Sequence, residues 1–232
     1  PYAVMMITPA DIEDFVYGFS LTEGIIKTAD DIREVSVSHT ADGVNVDIVL
    51  SSSQFQAHLA KRRTLSGRTS CGLCGLESSA DLPVAARLET DSCAVSYQAI
   101  RDALSDLTRH QVLNEVTHSV HAAAWCDQNG RIIEVREDVG RHNALDKLIG
   151  ALLLKRINAE NGFLLITSRA SFEMIEKAAI FGARTVVAIS APTSLAIRRA
   201  EALGVALIAI ARQDSMIEFT GNIKDKRGIT QQ

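Results

Sequence analysis

The chain predicts an α/β fold: a layered sheet with helices on both faces, preceded by a small N-terminal α+β subdomain. Two observations carry this. From residue 163 onward, short apolar runs at 163–167, 185–189 and 205–211 alternate with helical repeats at 171–181 and 194–203. Strand–helix–strand order with short links implies crossovers and a parallel sheet. The chain also has 232 residues, 47% apolar and 22% charged, enough to bury a core without disulfide staples. Three parts follow: residues 1–63 as the small subdomain, 64–95 as a mobile loop, and 96–232 as the α/β core.

Thr8-Pro9-Ala10-Asp11 reads as a capping box with proline at the first helical position. Ile12, Phe15, Val16 and Phe19 then recur at helical spacing, and Gly24 ends the helix. Val44, Val46, Ile48 and Leu50 alternate as in a strand with one buried face, after a turn at 41–43. Residues 54–63 read as a helix. Residues 64–95 show no period and are rich in Ser, Gly, Thr and Asp, and a loop of that length inside a compact chain is functional or disordered. Ser96 opens a helix with Ile100, Leu104 and Leu107 on one face. Strands at 121–126 and 132–135 are joined by Asp127-Gln128-Asn129-Gly130, a hairpin turn. Asp138 precedes an amphipathic helix carrying Leu145, Leu148, Ile149, Leu152 and Leu153. Gly182 and Gly204 close the last two helices.

Composition excludes several classes. A formal net charge of -4 argues against broad nucleic-acid binding. No apolar run reaches the length of a membrane span, and no signal peptide is visible. Four cysteines are too sparse for a secreted disulfide scaffold, so the expected location is cytoplasmic. The chain begins at Pro1 rather than methionine, and its true N-terminus is expected to lie upstream.

The reactive feature is Ser70-Cys71-Gly72-Leu73-Cys74-Gly75. Each thiol is followed by a glycine, and Lys61, Arg62, Arg63 and Arg68 lie upstream. Positive charge favours the thiolate, the form that attacks sulfur or binds metal. Four readings compete. A zinc site needs four ligands, yet Cys93 and Cys126 are isolated and His118 and His121 are closely spaced, so no tightly held metal is expected. A thioredoxin-like pair would open a helix beside a strand, and these flanks read as loop. Sulfur carriage on a persulfide and a purely structural pair remain.

A second chemical region follows from the sheet. Ligands gather at the carboxyl ends of parallel strands, here residues 167–171, 190–194 and 211–215. All three are rich in hydroxyls, small residues or arginine, and two lead into helix N-termini that favour phosphate. Ser171, Thr193 and Ser194 also read as plain N-caps. Glu137 through Lys147 is a further polar stretch at a strand-to-helix junction, where Asp138, Arg141 and His142 point to a ligand.

These stretches together resemble the formate dehydrogenase accessory sulfurtransferase family, often called FdhD. The matching residues are 18–26, Cys71-Gly72-Leu73-Cys74-Gly75, 137–150, 167–174 and 190–195. The resemblance implies a cytidine-deaminase-like fold, a strand ahead of Pro1, and a homodimer. It implies that sulfur passes as a protein persulfide from a cysteine desulfurase to the molybdenum cofactor, bis-molybdopterin guanine dinucleotide, which then enters apo formate dehydrogenase. Cys71 would carry the persulfide, with Cys74 as the second family cysteine. The cofactor segment maps onto Ile210, Ala211, Arg212, Gln213, Asp214 and Ser215, with Arg169, Thr193 and His142 as further cofactor contacts. The chain departs from the family at Asp214 and Ser215, where glycine and arginine are usual. Zinc deaminase chemistry needs His-x-Glu and Pro-Cys-x-x-Cys. No histidine here is followed two residues later by glutamate, and Ser70 precedes Cys71. The remaining alternative is a non-catalytic cofactor chaperone whose cysteine pair binds zinc or is structural.

Overall fold

Period-two alternation on short strands separates the core into two layers. The computed structural model describes residues 2–41, 43–56, 85–88, 95–221 and 229–231. Its main sheet comprises β3 (His121–Asp127), β4 (Ile132–Asp138), β5 (Gly162–Ile166), β6 (Thr185–Ala188), β7 (Ala206–Ala209), β8 (Met216–Thr220) and β9 (Ile229–Gln231). They lie in the order β4-β3-β5-β6-β7-β8-β9. Leu164, Ile166, Val186, Ala188, Leu207 and Ala209 face one layer, while Phe163, Leu165, Val187, Ala206 and Ile208 face the other. The first layer is closed by α4 (Arg141–Leu154), α5 (Phe172–Phe181) and α6 (Ser194–Leu203), and the second by α2 (Tyr97–Leu107). Ser96 caps α2 by accepting from the Ala99 amide at 3.1 Å.

The sheet is mixed rather than parallel. β5, β6 and β7 run parallel, but β3 pairs antiparallel with both β4 and β5, and β8 antiparallel with β7. The 127–130 hairpin forces the β3–β4 reversal, since a short connection joins only antiparallel strands. β8 and β9, and the short helix α3 (Val112–Thr117), carry too few periodic residues to be read from sequence.

The N-terminal part contains α1 (Ile12–Thr22) and a hairpin of β1 (Ile32–Thr40) with β2 (Gly43–Leu50). The helix begins later than the capping box implied. Asp11 sits in the left-handed region at φ 53 without a side-chain cap, and Thr8 is engaged elsewhere: its amide donates to Asp138 and its hydroxyl accepts from the Val139 amide. Helical backbone is seen at 52–56; the rest of the helix expected to residue 63, and most of the loop at 64–95, lie outside the described residues.

Helix α4 is buried from Asn143 through Leu152 rather than on one stripe, because the sheet covers one side and α1 the other. The α1–α4 crossing depends on two glycines. A Cβ on Gly18 would lie 1.7 Å from the Asp146 carbonyl oxygen, and one on Gly150 would lie 1.8 Å from that of Asp14. In Gly18→Ala, helix propensity gains about 1 kcal/mol, while forcing the helices apart costs about 3 kcal/mol. The expected net is a loss of about 2 kcal/mol, a fall in melting temperature of roughly 4–8 °C. An unchanged melting curve would show that the crossing is loose.

Candidate functional site

The three strand ends singled out in the sequence do meet. The Thr193 amide donates to the Ala170 carbonyl at 3.0 Å, Ile210 to Ser190 at 3.3 Å, and Ala211 to Ala188 at 3.1 Å. Ala170 and Pro192 also form an isolated parallel bridge. The rim continues across β3: the Ala122 amide donates to Thr167 Oγ1 at 2.9 Å, and His121 pairs with Asp138.

Along this rim the residues divide by what already holds them. Thr193 is an N-cap whose hydroxyl accepts from the Ala196 amide at 3.1 Å. Ser171 occupies the N-cap position of α5 without a side-chain cap bond, which departs from its reading as a plain cap. Arg169 is exposed with no side-chain partner among the described residues. Arg212 is exposed, and its guanidinium donates to the carbonyls of Ile189 and Ala211. Its amide donates to the Ser215 carbonyl at 2.7 Å, closing a tight turn. Gln213, Asp214 and Ser215 are exposed on that turn, and the Ser215 hydroxyl donates to Asp214 at 3.2 Å.

The turn starts from strain. Ile210 has φ 52, an outlier for a β-branched residue, and such outliers concentrate at functional sites. This kink also ends β7 at Ala209, so the strand expected to reach Ala211 stops short and residues 210–215 stand over the strand ends.

Asp138 is structural and not a ligand. It is fully buried, pairs with Lys147 at 2.7 Å, and accepts from Thr8, Gly140 and Asn143. Glu137 caps α3 by accepting from the Leu113 and Asn114 amides. Arg141 and His142 differ. Arg141 Nε and His142 Nε2 are shut off from solvent without a hydrogen-bond partner, as is Ser171 Oγ. Burial and the Arg141 charge hold the His142 imidazole down to about 4. Glu173 was not singled out from sequence, where it is one acidic residue in a helix's first turn. Its carboxyl stays low although burial opposes this, because Ser171, its own amide, His142 and Arg141 favour the charge. Ser171 reaches toward Glu173 without good hydrogen-bond geometry.

A pH dependence follows. Between about 6.5 and about 4 the unfolded chain protonates this histidine and the folded chain does not, so stability falls as pH drops through that window. A shift of this size corresponds to about 3 kcal/mol, and partial exposure reduces it to about 1–2 kcal/mol. His142→Gln should flatten the melting-temperature profile between those values. A profile identical to that of the parent would place the histidine in open solvent.

Cys71 and Cys74, the expected reactive pair, and the basic residues before them lie outside the described residues. The chain is pinned just after them, where the Ala85 amide donates to Glu176 on α5 at 3.1 Å. Cys126 is buried, and burial pushes its thiol far up, so it is not a nucleophile. No group of three or more metal-ligating side chains occurs among the described residues, and no helix among them is long and apolar enough to cross a membrane.

These features define an α/β protein with a polar rim at its parallel strand ends. The chain belongs to the FdhD/NarQ family, whose signature it matches over residues 1–224. It is 42% identical over 219 residues to the "Sulfur carrier protein FdhD" of Variovorax paradoxus (strain S110), covering 94% of this chain and 79% of the relative. It is 47% identical over 221 residues to the protein of that name from Xanthomonas euvesicatoria pv. vesicatoria (strain 85-10), covering 95% and 78%. A crystal structure described as a putative formate dehydrogenase accessory protein from Desulfotalea psychrophila superposes with a TM-score of 0.69. It is 26% identical and covers 93% of this chain and 80% of that one.

Proposed function

We propose that this protein is a sulfurtransferase of formate dehydrogenase maturation. It takes sulfur from a cysteine desulfurase and passes it to bis-molybdopterin guanine dinucleotide, its cargo. The observation that carries the reading is the Cys-Gly-Leu-Cys-Gly motif in a chain 42% and 47% identical to proteins named sulfur carriers. The Cys71 thiolate attacks the outer sulfur of the desulfurase persulfide. The old S–S bond breaks, the desulfurase cysteine leaves as thiolate, and Cys71 holds the new persulfide with no net oxidation. Attack of Cys74 on the Cys71 sulfur then releases hydrosulfide to the molybdenum and leaves a disulfide, which a cellular thiol reduces. Helices on both faces of a mixed sheet support the deaminase-like layering that the family resemblance implies.

The rim is the cargo site in this reading. Arg169, the remaining N–H groups of Arg212, and the amides around Thr193 offer donors for phosphate. GDP stands in for one end of the cargo. A charge-assisted contact contributes about 1.5–3 kcal/mol, so Arg169→Ala should weaken GDP roughly tenfold to a hundredfold by calorimetry. Asp214→Gly, which removes a negative charge, should weaken it less or improve it. Equal affinity for GDP and ADP would sink the guanine preference, and binding of neither would move the cargo off this rim.

A further inference from the structure

Three polar atoms on this rim are closed to solvent without a well-formed hydrogen bond: Arg141 Nε, His142 Nε2 and Ser171 Oγ, the last of which lies toward Glu173. Native structures rarely leave such atoms unmatched, and each needs an explanation. They belong to the first turn of α4 and the start of α5, and one carboxylate, Glu173, feels Ser171, His142 and Arg141 together. The four residues are only partly buried as whole side chains, so the cluster lies at the surface of the rim.

The donor and acceptor pattern selects the ligand. Arginine only donates, the serine hydroxyl and a neutral imidazole do both, and a carboxylate only accepts, with about four lone-pair positions. The cluster is charge-balanced, with Arg141 against Glu173. Lys177, the next cation, is committed to Asp146 at 2.9 Å and Thr22 at 2.8 Å. A phosphate would therefore bring two further negative charges beside Glu173 with one arginine to answer them, and like charges in a partly desolvated site repel strongly. A neutral ring fits better if it gives N–H groups to the carboxylate and a carbonyl oxygen to Arg141 or Ser171.

We propose that Arg141, His142, Ser171 and Glu173 read the 2-amino-4-oxopyrimidine edge of a bicyclic heterocycle, the edge that guanine and pterin share. Glu173 accepts from the ring N–H and the exocyclic amine, and Arg141 and Ser171 donate to the ring carbonyl. This deepens the cargo reading above and rests on it: residues 210–215 and Arg169 hold phosphate, and the Glu173 cluster checks the base.

The test is calorimetry on the full chain with two ligand pairs. GDP is compared with IDP, which lacks the 2-amino group, and neopterin with a lumazine that lacks it. The parent protein should prefer the amino-bearing member of at least one pair by roughly tenfold or more, as expected when a buried charged acceptor loses its donor. Glu173→Gln should erase that preference while leaving the amino-free ligand within about threefold. Arg212→Ala should instead weaken GDP and IDP alike. Loss of preference in the GDP pair assigns the edge to guanine, and loss in the neopterin pair alone assigns it to pterin. Ser171→Ala should shrink the same preference, and it decides the matter if Glu173→Gln does not fold. A preference untouched by both variants, or no preference in the parent, overturns the inference. If Arg169→Ala or Arg212→Ala still weakens GDP in that case, the rim reading stands without it. Failure of every ligand to bind overturns both.

Discussion

Cys71→Ala should abolish the ability of this protein to support formate dehydrogenase activity, leaving cells at the level of a strain without the gene. Cys126, the cysteine among the described residues, cannot substitute, since it is buried with its thiol pushed far up. The nucleophile forms the covalent intermediate itself, so its removal takes away the route rather than slowing it. Cys71→Ala should also remove the sulfur gain without unfolding the protein, since it exchanges one small side chain for another. Cys74→Ala separates the two cysteines: sulfur loading should persist while release slows. Wild-type formate dehydrogenase activity in the Cys71→Ala strain would leave the persulfide path without a carrier.

The largest stability effect should come from Lys147→Met. Lys147 is fully buried, pairs with the equally buried Asp138 at 2.7 Å, and donates to the Thr8 carbonyl at 2.8 Å. Removing the ammonium strands a carboxylate in the core, which costs about 3–5 kcal/mol and lowers the melting temperature by roughly 6–20 °C. The damage should spread to the rim, since Asp138 also holds the Thr8 and Gly140 amides and the Asn143 side chain. The double variant Asp138→Asn with Lys147→Met removes both charges and should recover a large part of the loss. A double variant as unstable as the single would show that Lys147 acts through packing and not through the pair.

Much of the core was legible in the sequence because each element carried its own signal. The Gly182 and Gly204 stops, the hairpin at 127–130 and the Ser96 cap sit where the pattern placed them. What failed was tertiary. The Thr8 capping motif lost its helix to Asp138, a residue 130 positions away. The α4 stripe misread a helix buried on both sides, because the α1 contact rests on Gly18 and Gly150, and glycines register in no hydrophobic pattern. The antiparallel pairings of β3 with β5 and of β8 with β7 were hidden, because they join strands that no recognisable hairpin turn connects. At the site, the convergence of the three strand ends followed from topology alone. Asp138 as a structural ion, Ser171 as an uncapped hydroxyl and Glu173 as the shared carboxylate could not be read, since each depends on partners distant in sequence.

The most direct measurement is the mass of the intact protein after incubation with a cysteine desulfurase and free cysteine. A gain of one sulfur atom per chain is expected, mapped by peptide analysis to Cys71, removed by a thiol reductant and absent from Cys71→Ala. Loading that persists in Cys71→Ala, or a parent chain that takes up no sulfur and instead holds one zinc on Cys71 and Cys74, would contradict it.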